Sequence, residues 1–406
     1  MSDDANRFEW ARPRTGESER TGVATGREAT RDDAPPAGDS GARVPGGTPR
    51  STSPATDDAA TESRRPIRPI SSTSPRVRFE VRAGGRVESR PVVREGTVYL
   101  GYANGCTRAV DCDDGTERWS TPTRGRPTAP AVAGDLVYVA TAQGTVAALD
   151  AEAGGRQWEF EANGSLQAAP AVADRTAYVA TADGRVSALH AEDGSRLRTF
   201  RNASRAVCGL AVADEHLLVG SLDGGAYAHD LTDGREHWRF GPSVAVRDAP
   251  AVRDGTAYVT TVDDGRACAI SAVTGRPRWR VDVSSGAWAA PTVADGRVFV
   301  AASDGVVSAL DPADGATQWR TRVDGRLWAS PTVTGEAVLV GDDAGTVTAL
   351  ARSDGSTLWR YRATAPVVAR VAVADGTAYV ADRGGTLTAL AVPSLSETNP
   401  EGGPRG

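Results

Sequence analysis

The side chains in this sequence that could bind a metal or act as nucleophiles are four cysteines and four histidines. They are Cys106, Cys112, Cys208, Cys268, His190, His216, His229 and His237. The cysteines form no Cys-x-x-Cys pair, and the histidines lack the spacing of a metal-ligand triad. We therefore interpret the cysteines as buried or semi-buried thiols and the histidines as solvated or hairpin residues, and we predict no catalytic residue and no metal site.

Composition narrows the partners that the chain could bind. The 406 residues include 52 acidic and 46 basic residues, giving a formal net charge of −6. This balance lacks the positive charge with which proteins bind nucleic acids or anionic membranes. No apolar run reaches the length of a membrane span, and the first residues do not resemble a secretory signal. We expect a cytoplasmic monomer that binds no nucleic acid and does not insert into a membrane.

The first 75 residues differ in composition from those that follow. They are rich in proline and charged residues and poor in valine, isoleucine and leucine. Such a segment buries too little apolar surface to offset the entropy lost on ordering. We predict a disordered tail over residues 1–75, a folded domain over 76–393 and a second disordered tail over 394–406.

The folded domain consists of a repeated unit of about 40 residues. Each unit begins near a proline and contains short strand-like segments, such as Ala177–Thr181 and Arg185–His190, separated by Asp-Gly or Gly-Gly pairs. These pairs supply the positive φ angles that tight hairpins need. Each unit therefore predicts four antiparallel strands, here named A to D, and their repetition predicts an all-β propeller.

The two ends of the repeat region predict how the ring closes. A D-type strand, Arg76–Arg82, precedes the first A strand, and the last A–B–C set, residues 370–392, has no D strand after it. If the first strand completes the last blade, two sheet edges are hidden from solvent. We predict eight blades, with the eighth built from three C-terminal strands and one N-terminal strand.

The segments "YVATADGRVSALHAEDG" (Tyr178–Gly194) and "ALDPADGATQW" (Ala309–Trp319) resemble the repeat of quinoprotein, or PQQ-like, propellers. The resemblance implies that the aromatic residue at the end of each unit docks one blade onto the next. The docking residues would be Phe79, Trp119, Trp158, Trp238, Trp279, Trp319 and Trp359. Blade 3 has Arg198 at this position, and we expect its joint to be the weakest.

The resemblance covers two functional branches. One contains alcohol and sugar dehydrogenases that use PQQ and Ca²⁺, with long inserted loops and often a vicinal disulfide. The other contains non-catalytic propellers of the BamB type. This chain has almost no insertions and no adjacent cysteines. We therefore expect a protein-binding scaffold without PQQ or Ca²⁺. The alternative is a PQQ- and Ca²⁺-dependent dehydrogenase.

The best candidates for partner binding lie where the repeats disagree. Three positions before the A-strand proline, on the predicted D–A loops, three neighbouring blades carry Arg247, Trp288 and Trp328. Tryptophan and arginine are common binding hot spots. In blades 1 and 8, Arg90 and Arg370 stand directly before the A-strand proline position, where most blades have alanine. These arginines could attract an acidic group. The alternative is that the two tryptophans only plug the channel or pack on neighbouring loops.

The opposite face carries an acidic residue in every predicted A–B turn. These residues are Glu95, Asp135, Asp174, Asp214, Asp254, Asp295, Glu336 and Asp375. A negative face could recruit a basic partner. Aspartate is also favoured in such turns for local hydrogen bonding, so the turn chemistry alone explains the pattern.

Overall fold

The computed structural model describes residues 74–82, 84–87, 89–202, 205, 207–241, 244–284 and 286–392. Strands and turns account for the described ranges, which contain no helix that could cross a membrane. Apart from residues 74 and 75, the predicted tail over residues 1–75 lies outside the described residues, as does the tail over residues 394–406.

The described residues form 32 strands in eight four-stranded sheets, each the blade of a propeller. Strand β1 (Arg76–Arg82) precedes the first repeat. Blade 1 contains β2 (Val92–Arg94), β3 (Thr97–Tyr102), β4 (Cys106–Asp111) and β5 (Glu117–Pro122), and blade 2 contains β6 (Ala131–Ala133), β7 (Leu136–Ala140), β8 (Thr145–Asp150) and β9 (Arg156–Glu161). Blade 3 contains β10 (Ala171–Ala173), β11 (Thr176–Ala180), β12 (Arg185–His190) and β13 (Arg196–Arg201), and blade 4 contains β14 (Val207–Ala213), β15 (His216–Ser221), β16 (Gly225–Asp230) and β17 (Glu236–Phe240).

Blades 5 to 8 follow the same order. Blade 5 contains β18 (Ala251–Arg253), β19 (Thr256–Thr260), β20 (Arg266–Ser271) and β21 (Pro277–Asp282), and blade 6 contains β22 (Thr292–Ala294), β23 (Arg297–Ala301), β24 (Val306–Leu310) and β25 (Thr317–Arg322). Blade 7 contains β26 (Thr332–Thr334), β27 (Ala337–Gly341), β28 (Thr346–Ala351) and β29 (Thr357–Arg362), and blade 8 contains β30 (Ala372–Ala374), β31 (Thr377–Ala381) and β32 (Thr386–Ala391).

Blade 8 is closed by the N-terminal strand. Strand β1 pairs antiparallel with β32, with a register that runs from Arg76 opposite Ala391 to Arg82 opposite Thr386. The sheet order is β1-β32-β31-β30, so β1 takes the D position. This confirms the predicted all-β propeller with eight blades and an N-terminal closing strand. The first and last strands of the domain pair with each other instead of leaving open edges.

The sequence periodicity explains the strand burial. B and C strands are almost entirely buried, since both of their faces pack against neighbouring blades, whereas D strands alternate. The core therefore consists of apolar clusters, several of which join residues of neighbouring blades. The A–B turns are two-residue hairpin loops; in blade 5, Asp254 and Gly255 have φ angles of 49° and 66°. Two positive φ angles match the twist of the flanking strands.

The A strands line the centre of the ring, where those of neighbouring blades contact one another. Two threonines bridge them directly. Thr292 Oγ1 donates to the carbonyl of Pro331 at 2.6 Å, and Thr332 Oγ1 donates to the carbonyl of Val371 at 2.5 Å. Between blades 4 and 5 the backbones come so close that a Cβ on Gly209 would lie 2.0 Å from the backbone nitrogen of Ala249. Only glycine allows this approach.

Candidate functional site

The repeated tryptophans lie at the joints between blades. In five of them the indole N–H donates to a backbone carbonyl of the next blade. The pairs are Trp119 with Ala151 (2.9 Å), Trp158 with Ala191 (2.8 Å), Trp238 with Ala272 (2.8 Å), Trp279 with Pro312 (2.8 Å) and Trp319 with Arg352 (2.9 Å). The same rings cover a turn glycine of the next blade; Trp158, for example, lies on Gly194. These contacts bury the indole rings between the blades and join each blade to the next.

The two ends of this series differ from the middle. Phe79, in the closing strand, packs on Gly115 of blade 1, so it takes the role of the tryptophan there. Trp359 is buried and belongs to the apolar cluster shared by blades 7 and 8.

The joint after blade 3 is built differently. The guanidinium of Arg198 donates to the carbonyls of Leu231 and Thr232, which takes the place of the indole hydrogen bond. The aromatic packing is moved two residues along the strand, because Phe200 covers Gly234. The sequence analysis did not identify Phe200 as a docking residue. Its position, two residues after Arg198 in a unit without the tryptophan, could have indicated this role. That this joint is the weakest stays a prediction.

A buried histidine completes the same joint. His229 is fully buried, and its ring centroid lies 5.0 Å from that of Phe200. Its Nε2 is 2.8 Å from Asn202 Oδ1, and its Nδ1 is 3.2 Å from the carbonyl oxygen of Gly234. Burial lowers the pKa of His229, while the Gly234 hydrogen bond and the charge of Glu236 act in the opposite direction. The prediction that the histidines are solvated or hairpin residues is therefore wrong for His229, which is a core residue.

The D–A loops bring three predicted candidates into direct contact. The Trp288 and Trp328 rings are 5.7 Å apart, centroid to centroid, at 67°, an edge-to-face arrangement. The Arg247 guanidinium carbon lies 5.1 Å from the Trp288 ring centroid. We name these three residues the aromatic cluster, and the face that bears the D–A and B–C loops the D–A face. Aromatic and cation–π pairs of this geometry stabilise one another by roughly 0.5–2 kcal/mol each.

The aromatic cluster differs from the joint tryptophans in exposure and in hydrogen bonding. Trp288 and Trp328 are partly exposed, whereas the joint tryptophans are buried. Within the described ranges, neither indole N–H of the cluster donates to a protein acceptor. Buried or bound tryptophans usually satisfy this donor. The cluster therefore keeps two unused donors beside its apolar surface.

Arg90 and Arg370 lie next to each other on blades 1 and 8. Arg90 is exposed and Arg370 is partly buried. Burial lowers the pKa of Arg370, the positive charge of Arg90 lowers it further, and the charge of Asp248 opposes both. Asp248, from blade 5, also favours the charged form of Arg247, whose pKa is lowered by burial. Arg370 and the Arg247 of the aromatic cluster thus share one acidic neighbour.

Cys208 lies close to Arg247 of the aromatic cluster, a proximity that the sequence did not indicate. Cys208 Sγ lies 3.9 Å from Gln167 Oε1, and the charge of Arg247 acts on this thiol. Burial nevertheless raises the pKa of Cys208 to about 11, so the thiolate is not available at neutral pH. Cys208 is therefore not a nucleophile at neutral pH. All four cysteines are free thiols.

The acidic residues of the opposite face serve the turns. Six of them occupy the position with positive φ: Glu95, Asp174, Asp214, Asp254, Asp295 and Asp375. Several are also neutralised, since Arg352 pairs with Asp295 and with Glu336, the latter at 3.6 Å. Local hydrogen bonding accounts for acids at such positions.

A Ca²⁺ ion beside a quinone needs several oxygen ligands in one place. In the part of the chain that the structure describes, no three His, Cys, Asp or Glu side chains form such a group. These residues therefore do not supply a metal site. That the protein works without PQQ and Ca²⁺ stays a prediction.

The comparison with protein families agrees with this architecture. The family model described as outer membrane protein assembly factor BamB matches residues 24–132, 104–208, 199–276, 223–326 and 303–396. The chain belongs to this BamB family. The resemblance to PQQ-like propellers is thereby confirmed. No curated protein sequence matches the chain.

Solved structures share the fold of this BamB-family propeller at low identity. The computationally designed Ika8 protein is 17% identical with a TM-score of 0.69, covering 77% of this chain and 98% of its own. BamB from Moraxella catarrhalis is 18% identical with a TM-score of 0.66, covering 78% and 99%. The quinohemoprotein alcohol dehydrogenase ADHIIG from Pseudomonas putida HK5 is 16% identical with a TM-score of 0.64, covering 82% and 78%. At these identities the likeness concerns the fold alone.

Proposed function

We propose that this protein is a non-catalytic scaffold whose D–A face binds a partner protein through the aromatic cluster. The observation that carries the proposal is the pair Trp288 and Trp328, partly exposed and in edge-to-face contact, with both indole N–H groups unused by described residues. The family description, an outer membrane protein assembly factor, supports a role in contacting other proteins.

The charges around the cluster favour an acidic partner segment. The charge of Asp248 acts on Arg247 and on Arg370, and its carboxylate already accepts backbone hydrogen bonds from Ala249 (2.8 Å) and Ala290 (3.2 Å). Among the described charges that act on Arg247 and Arg370, Asp248 is the one carboxylate. Electrostatic complementarity then selects a segment in which an apolar or aromatic side chain lies beside a carboxylate.

Simple packing of the two tryptophans explains less of the geometry. It accounts for the contact between Trp288 and Trp328. It gives no acceptor to their N–H groups among the described residues. A bound backbone carbonyl would satisfy either donor, and tryptophan and arginine are the residues that most often dominate binding energy.

Selection of phage-displayed random dodecapeptides against the full chain tests the proposal. We expect enriched peptides to combine aromatic and acidic residues and to lose at least tenfold in affinity when Trp288→Ala and Trp328→Ala are combined. Val273→Ser is the matched control, because Val273 is 52% exposed in a C–D turn on the opposite face. Enrichment of basic peptides that ignore the tryptophan changes would contradict the proposal and favour the acidic face.

An activity assay addresses the enzymatic alternative. The purified chain is mixed with PQQ, Ca²⁺, a redox dye and a panel of alcohols and sugars. We expect no substrate-dependent dye reduction, because the described residues offer no metal-binding group. Reduction that depends on both PQQ and Ca²⁺ would overturn the non-catalytic assignment.

A further inference from the structure

Two arginines occupy one repeat position on neighbouring blades at the ring centre. Arg370 and Arg90 come just before the A strands β30 and β2. The other six blades carry a small residue there: Ala129, Ala169, Gly209, Ala249, Ala290 and Ser330. The A strands border the central channel. Two guanidinium groups therefore replace small side chains on one side of the channel.

The guanidinium of Arg370 is held in a defined orientation. Its Nε donates to Thr332 Oγ1 at 3.2 Å. The Thr332 hydroxyl uses its own proton to donate to the Val371 carbonyl at 2.5 Å, so its oxygen is an acceptor toward Arg370. No other described residue hydrogen-bonds to Arg370. The two terminal nitrogens of Arg370 thus remain free to donate.

Arg90 adds a second positive charge without bringing an acid with it. It is exposed and makes no hydrogen bond or ion pair with any residue in the described ranges. Its charge lowers the pKa of Arg370, so the two guanidinium groups repel each other. Asp248 relieves this only in part, since its oxygens accept from Ala249 and Ala290. An anion placed between the two arginines would remove the repulsion.

We propose that Arg90 and Arg370 form a carboxylate-binding site at the channel mouth, which anchors an acidic residue of the bound partner. The planar fork of a guanidinium matches the two oxygens of a carboxylate. The identity of the carrier rests on the proposed function. The anion site itself does not, because none of its residues belongs to the aromatic cluster.

Calorimetric titration of the full chain with tricarballylate at low salt tests the site. We expect binding, and a loss of at least tenfold in affinity in Arg370→Gln and in Arg90→Gln, since each change removes a positive charge and a charge-assisted hydrogen-bond donor. Arg326→Gln is the matched control: Arg326 is exposed on a D–A loop, and its described hydrogen bonds, both with Asp343, use only its backbone nitrogen and carbonyl oxygen. Because Arg90→Gln removes no hydrogen bond or ion pair with a described residue, we expect this variant to fold like the wild type.

Three outcomes would overturn the site: no heat with the wild-type chain, equal affinity in all three arginine variants, or tighter binding of inorganic phosphate than of tricarballylate. The double change Trp288→Ala and Trp328→Ala should leave tricarballylate affinity unchanged. Tricarballylate binding without peptide binding would therefore refute the proposed function and leave the anion site standing.

Discussion

The guanidinium of Arg247 lies over the indole ring of Trp288, with 5.1 Å between its central carbon and the ring centroid. The two residues come from neighbouring blades, and Trp288 in turn contacts Trp328 of the next blade. Side chains of three blades thus form one surface. A rigid ring of blades holds these contacts in place, so little ordering entropy opposes binding.

The two classes of tryptophan should differ in their effect on stability. Trp158→Ala removes a buried ring and a hydrogen bond to Ala191, so we expect the free energy of unfolding to fall by about 3–5 kcal/mol. Trp288→Ala removes a partly exposed ring and should cost about 1 kcal/mol. Urea unfolding followed by circular dichroism measures both. Equal losses would mean that Trp288 is a structural residue like the others.

Phe200 should be the main packing residue of the unusual joint. It covers Gly234 and contacts the His229 ring, so Phe200→Ala should destabilise the protein by about 3–5 kcal/mol. Arg198→Met keeps volume but leaves the Leu231 and Thr232 carbonyls without this donor, which should cost about 1–3 kcal/mol. Unfolding midpoints rank the variants. A larger loss from Arg198→Met than from Phe200→Ala would reverse the assignment.

Acidification should weaken the same joint through His229. Its pKa in the folded protein lies below the ordinary value of 6.5, so the unfolded chain binds more protons in the interval between the two values. Stability is therefore complete above about pH 6.5 and declines as the pH falls through that interval. We expect the urea midpoint of unfolding to be lower at pH 5 than at pH 7.5, and we expect this difference to be smaller in His229→Gln. An identical decline in both proteins would assign the effect to other groups.

Close approach of blades 4 and 5 should make Gly209 intolerant of a side chain. A Cβ there would lie 2.0 Å from a backbone nitrogen, so Gly209→Ala should cost about 1–3 kcal/mol or more. Gly155→Ala is the control, because no atom lies within 4 Å of its added Cβ. Thermal unfolding compares the two. A neutral Gly209→Ala would show that the blades separate easily.

Most of the architecture could be read from the repeat, because each feature of a blade is encoded locally. Turn glycines, alternating strands and the terminal tryptophan recur with each unit, and the unpaired strand Arg76–Arg82 predicted the closure. The sequence could also point to Arg247, Trp288 and Trp328, since the turn chemistry does not require these residues.

Contacts between blades were harder to predict, because they depend on geometry across the ring. The partnership of Phe200, His229 and Asn202 joins strands and loops of two blades, and no sequence spacing specifies it. The influence of Asp248 on Arg370 reaches from blade 5 to blade 8. Such relationships follow from the closed ring and are visible only in three dimensions.

The affinity of an enriched acidic-aromatic peptide for four forms of the full chain tests the central claim most directly. The forms are the wild type, the double change Trp288→Ala and Trp328→Ala, Arg247→Glu and Val273→Ser. We expect at least a tenfold loss in the double variant and in Arg247→Glu, with Val273→Ser unchanged and all unfolding midpoints showing folded proteins. Undiminished affinity in the folded double variant would contradict the assignment of the D–A face as the binding surface.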